Sequence, residues 1–193
     1  MKEPAINRKE ILRYARVKEE TPDISVLLDE CIEEAKDSLS FRVGYDILPI
    51  KRTEKMLKIG LIDSSSEVLS KALVGCDEAV VFAATIGSAF DRLIVRYSKL
   101  SPSKTLILQA YGAERAESLC DAFCEMLNTE LKKCEKSLKT RVSPGYGDIS
   151  LSLQNPIFVM LDCERKLGIT LNRNLLMSPS KSVTAIAGIK NNT

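Results

Sequence analysis

Two rhythms of apolar and polar positions run along this chain, and each predicts a different kind of element. Ile24, Leu27, Leu28, Cys31, Ile32 and Ala35 recur at steps of three and four, the spacing that places side chains on one face of a helix. Thr21 and Pro22 suit the start of that helix: a hydroxyl to cap it, then a ring whose missing N–H costs nothing in the first turn. Asn7 followed by Glu10 has the form of a capping box and predicts a short helix through Tyr14. The segments FRVGYDILPI (41–50) and KMLKIGLI (55–62) are rich in strand formers and predict a pair of strands. Ser65 is placed to cap a further short helix ending near Gly75, and EAVVFAAT (78–85) predicts a buried strand.

A long helical region is expected from about Ser103 to Leu138, where Cys120, Cys124, Leu127, Leu131 and Leu138 recur at steps of three, four and seven. Asn155-Pro156 lies at the start of a later helix that stops at Gly168. The closing stretch LNRNLLMSPSKSVTAIAGI predicts two strands around a Ser-Pro-Ser-Lys turn, the second alternating Val183, Ala185, Ala187 and Ile189 with Ser182, Thr184 and Ile186. Strands at both ends with helices grouped between them give an α+β fold. At 193 residues, 45% hydrophobic, the chain can bury one sizeable core, and residues 1–193 are expected to form a single domain.

Composition narrows the chemistry. The sequence contains no histidine, which excludes a His general base, a Ser-His or Cys-His nucleophile pair and most catalytic zinc sites. Charges of both signs are interspersed and sum to +2, without the one-sided basic patch of a nucleic-acid or membrane-surface protein. Lys51-Arg52 and Lys132-Lys133 are expected on solvated faces. The six cysteines show no C-x-x-C spacing, the N-terminus has no apolar signal core, and no apolar run approaches the roughly 20 residues that span a bilayer. A cytoplasmic protein with reduced thiols is expected.

Three segments are candidates for a site. Cys120 and Cys124 lie one helical turn apart, but no histidine or second cysteine pair completes a metal site, and packing in the core is the expectation. FAATIGSAF (82–90) is a strand, a glycine and a helix start, a geometry able to seat an anion. It lacks both G-x-G-x-x-G and G-K-[ST], so an ordinary turn is expected there. RVSPGYGDISLSLQNPIF (141–158) is richer. Arg141 offers a permanent cation whose fork fits a carboxylate. Pro144 fixes its own φ and pushes Ser143 toward extended geometry. Gly145 allows close approach to the backbone, leaving its N–H and neighbouring carbonyls to read a purine edge, and Tyr146 offers a ring face to a base or a cation. Together they suit an adenosine that carries an amino-acid carboxylate; on local geometry alone, a turn with a surface arginine is the alternative.

The ordered run R-x-S-P-G-Y, then Gln154 with Ile157 and Phe158, K-L-G-I-T-L (166–171) and L-M-S-P-S-K-S-V (176–183) resembles the activation domain of cobalamin-dependent methionine synthase. The resemblance extends over roughly residues 105–190. It implies a curved single domain on a twisted antiparallel sheet that binds S-adenosylmethionine and supports reductive remethylation of cobalamin carried by a partner. Carried over by position, Arg141 would meet the ligand's carboxylate, Ser143, Gly145 and Tyr146 would hold it through backbone and ring contacts, and Asp121 in LCDAFCEML would meet its amino group. The family also has an acidic contact early in the domain and a tyrosine after the last strand; neither the first 40 residues nor the closing GIKNNT offers a counterpart.

The partners implied are a separate cobalamin-binding methionine synthase chain and a flavodoxin- or ferredoxin-type electron donor, with no nucleic acid or membrane. No catalytic residue and no metal ligand are assigned to this chain, because cobalt on the partner would be the nucleophile and this chain would act by positioning. The alternatives are an interaction module that has lost the ligand, an activator of another corrinoid methyltransferase, or a conventional methyltransferase; the missing glycine-rich fingerprint counts against the last.

Overall fold

The computed structural model describes residues 3–192. Helices α1 (Arg8–Tyr14) and α2 (Pro22–Ala35) form as expected, with the Asn7 and Thr21 side chains accepting from the N–H groups of Glu10 and Ile24. The predicted capping box is only half made. The Glu10 carboxylate turns to Arg13, and the Asn7 N–H donates instead to the carboxylate of Glu114 at 3.0 Å.

Strands β1 (Arg42–Arg52), β2 (Leu57–Ile59) and β3 (Ile62–Ser64) make an antiparallel meander, with Ile50 opposite Ile59 and Ile59 opposite Ile62. Beyond β1 come β4 (Glu78–Thr85), then the late strand β8 (Ser182–Asn191), then β5 (Lys136–Leu138). The resulting six-stranded sheet, in the order β3-β2-β1-β4-β8-β5, is antiparallel at every pairing. Strands β4 and β8 are buried on both faces over most of their length, and alternation sends their side chains into two cores. Val80, Phe82, Ala84, Ala185 and Ala187 face one core; Ala79, Val81, Ala83 and Ile186 face the other.

The first core is covered by α1, α2, α4 (Ser88–Ser98) and the long helix α5 (Pro102–Lys132). Leu108, Leu119 and Phe123 of α5 are fully buried there, each worth about 1.5–3 kcal/mol of transfer free energy. The second core is closed by α3 (Glu67–Ala72), α6 (Gln154–Leu161) and α7 (Cys163–Leu167).

Several boundaries differ from expectation. Helix α3 is capped by Ser66, not Ser65. Helix α5 ends at Lys132, because Glu135 takes a positive φ of 55° and residues 136–138 pair with β8 as β5. The later helix is broken at Asp162, whose left-handed backbone separates α6 from α7. The two closing strands do not pair with each other: β7 (Met177–Ser178) joins β6 (Thr170–Leu171) in a small ribbon, while β8 enters the main sheet. Arg52 is not merely solvated, since it donates to the Leu73 carbonyl at 2.6 Å. Among the described residues no helix is long and apolar enough to cross a membrane.

Candidate functional site

The site grows from the outer edge of the sheet. Past β5 the chain continues along β8: the Lys139 N–H donates to the Gly188 carbonyl, and Val142 and Ile186 exchange two hydrogen bonds of 2.9 and 2.8 Å. Val142 packs into the second core, so strand alternation leaves its neighbour Arg141 on the opposite face, beside α5. Ser143 and a buried Pro144 then turn the chain. The turn is bonded within itself, Tyr146 N–H to the Ser143 carbonyl at 3.1 Å and Gly145 N–H to the Ile149 carbonyl at 2.8 Å. Gly145 has φ of +90°, a conformation that a side chain would strain. Its N–H is therefore already used within the turn, in contrast to the expected role for that donor, and the absent side chain lets the turn lie close to Leu151.

Arg141 meets two carboxylates, not one. One guanidinium nitrogen bonds Asp121, and the other bonds Glu117 at 2.6 Å. Glu117 and Asp121 are four residues apart on α5, which sets them one above the other on the same face. The arginine side chain is 20% exposed, against 45% for Glu117 and 69% for Asp121. Burial alone would lower the guanidinium's pKa, but the bonds to Asp121 and Glu117 outweigh it and hold the pKa above its ordinary value. One cation between two anions leaves the triad with a net charge of −1. In the sequence the only signal for Glu117 is its i,i+4 spacing to Asp121. Tyr14 at the end of α1 is near enough that Glu117, after burial, raises the pKa of its hydroxyl.

A cleft of about 480 Å³ opens in front of the triad, lined by Glu117, Thr140, Arg141, Val142, Ser143 and Tyr146. Tyr146, which lines it, is 65% exposed. Of the five predicted residues, Arg141, Ser143 and Tyr146 thus share one cleft, Gly145 shapes the turn behind it, and Asp121 reaches it only through Arg141. A smaller cleft of about 330 Å³, lined in part by Cys124, Asn128 and Leu138, lies on the other side of Arg141.

The remaining candidates take structural places. Cys120 is fully buried in the first core, and burial pushes its thiol pKa up. Gly87 turns with φ of +91° against Ser40, whose N–H donates to the Ile86 carbonyl, an ordinary strand-to-helix turn. One buried cluster has no local signal in the sequence, because its partners lie more than 100 residues apart. Arg115 is fully buried, donating to Glu114 and to the carbonyls of Pro4 and Ala5 at 2.6–2.7 Å, and Glu114 also accepts from Ser118 and from the Asn7 N–H.

In comparisons with known proteins, no family model matches the sequence, and no curated protein matches it. Among solved structures, the crystal structure of the MetH reactivation domain bound to AdoHcy is similar, with a TM-score of 0.68 at 17% identity over 95% of this chain and 70% of that chain. That likeness establishes a shared α+β fold.

Proposed function

We propose that this chain binds S-adenosylmethionine in the cleft beside Arg141 and serves reductive remethylation of cobalamin carried by a separate methionine synthase chain, with a flavodoxin- or ferredoxin-type protein as electron donor. The observation that carries the reading is the Glu117–Arg141–Asp121 triad facing a cleft with an open aromatic ring, on the fold of a domain solved with AdoHcy.

The residues fit the ligand by charge. S-adenosylmethionine carries a carboxylate, an ammonium and a sulfonium, a net charge of +1, and the triad carries −1. Arg141 would turn its fork to the ligand carboxylate. Having two anionic partners, it can release Asp121 and keep Glu117, which lines the cleft and would face the ligand ammonium. The Tyr146 ring would cover the adenine or the sulfonium. S-adenosylmethionine supplies a methyl group already activated on sulfur, so this chain needs no general base, in keeping with a sequence that has no histidine. What remains for the protein is orientation and exclusion of water. Charged hydrogen bonds return only about 1.5–3 kcal/mol each after desolvation, which points to micromolar affinity.

Isothermal titration of the purified chain with S-adenosylmethionine tests this. A saturable isotherm, weaker for S-adenosylhomocysteine because it lacks the sulfonium charge, is the expected result; no heat with either ligand overturns the reading. A second reading has its own observation: the fork of Arg141 is already filled by Glu117 and Asp121. An interaction module that takes no ligand would keep the triad as a plain tie between α5 and the sheet edge. It predicts partner binding with no response to S-adenosylmethionine.

A further inference from the structure

A second loop residue has no part in the cleft and yet grips the opposite core. Asp148 lies two residues beyond Tyr146, and its carboxylate crosses to the start of α3. It accepts from the Ser66 hydroxyl at 2.5 Å, the Glu67 N–H at 2.7 Å and the Val68 N–H at 3.2 Å. Ser66 in turn accepts from the Leu69 N–H at 3.0 Å. The first turn of a helix leaves its N–H groups without partners inside the helix. Here Asp148 and Ser66 satisfy the three opening ones between them, across a gap of about 80 residues. A six-residue helix does not hold itself together in water, so α3 and this loop stabilise each other.

We propose that Asp148 is a positioning residue for the ligand cleft: by capping α3 it pins the far stem of the Ser143–Gly147 turn and so fixes where the Tyr146 ring stands. The near stem is already held by the Val142–Ile186 pair and the burial of Pro144. The far stem has Ile149 in the second core, Gly147 packed close to Val68, and the three bonds of Asp148. The tip has only bonds within the turn, so the ring's place depends on its two stems. The proposal rests on the function given above only for its last step, the effect on ligand.

Two measurements separate those steps. Amide hydrogen exchange of Asp148→Ala is expected to lower the protection of Gly145, Tyr146 and Ile149 about tenfold, with α5 unchanged. Asp148→Asn keeps an acceptor oxygen and is expected to fall between this variant and the wild type, and it serves as the variant if Asp148→Ala does not fold. Titration of S-adenosylmethionine is expected to show about tenfold weaker binding for Asp148→Ala. In a Tyr146→Ala background the same substitution is expected to have little further effect, since both act through one ring. Unchanged amide protection overturns the proposal, as does a full additive loss of affinity in the Tyr146→Ala background. If the wild-type chain binds no S-adenosylmethionine, the functional reading fails by itself, and amide protection still decides whether Asp148 holds the turn.

Discussion

Helix α5 takes part in two arginine–carboxylate clusters within a few turns, one wholly its own and one completed by Arg141 from the sheet edge, and they are built in opposite ways. Arg115 and Glu114 are almost wholly out of water, and every bond they make ends within the protein, on the N-terminal residues Pro4, Ala5 and Asn7 or on Ser118. Arg141 with Glu117 and Asp121 faces a cleft, with two anions to one cation and much of each carboxylate in solvent. A closed, fully bonded pair cannot exchange a partner without stranding a charge. An open pair with a spare anion can. The difference explains why the same residue types act as a clasp in one place and a candidate receptor in the other.

The comparison breaks most visibly at the clasp. Arg115→Met leaves the Glu114 carboxylate buried and unpaired, a loss of about 3–5 kcal/mol. Thermal unfolding should show it as a fall of roughly 10 °C, with part of the loss recovered on adding Glu114→Gln. Arg141→Ala should do the reverse: abolish S-adenosylmethionine binding by calorimetry while costing only about 1 kcal/mol of stability, as for solvent-facing pairs. An Arg141→Ala protein with unchanged affinity would remove the proposed site.

Within the triad the two acids should separate. Glu117→Gln is expected to weaken binding more than Asp121→Asn, because Glu117 lines the cleft and Asp121 reaches it through the arginine; equal effects in the titration would contradict that division. The smallest effect concerns pH. The bonds from Ser66, Glu67 and Val68 hold the Asp148 pKa below its ordinary value. The stabilisation is therefore present above the unfolded value of about 4 and is lost as pH falls through the lowered folded one. The melting-temperature gap between wild type and Asp148→Asn should hold constant from pH 8 to 5 and close in stronger acid.

What could be read from the sequence follows the range of the interactions. Helix α2 and strand β4 are declared by local rhythm, and Arg141, Ser143 and Tyr146 sit close enough together in sequence to suggest a shared site. The end of α5 is not legible locally, because TELKKCEKSLK contains neither glycine nor proline; pairing with β8, about 50 residues later, makes a strand of the stretch that follows. Asp162 takes a left-handed turn between α6 and α7, a conformation that aspartate tolerates better than most residues but that no local pattern requires. The roles of Glu114, Arg115 and Asp148 depend on partners about 80 to 110 residues away, beyond anything spacing encodes.

Helix α5 also runs without interruption for 31 residues, about 46 Å at 1.5 Å per residue. It works as a ruler on which clasp, triad and aromatic core are marked at fixed angles. One residue inserted between Glu114 and Glu117 would rotate everything beyond it by about 100°, turning both acids away from Arg141 with no side chain altered. Descendants of this chain are free to drift at many positions by replacement, but the length of that helix is a quantity they must inherit intact.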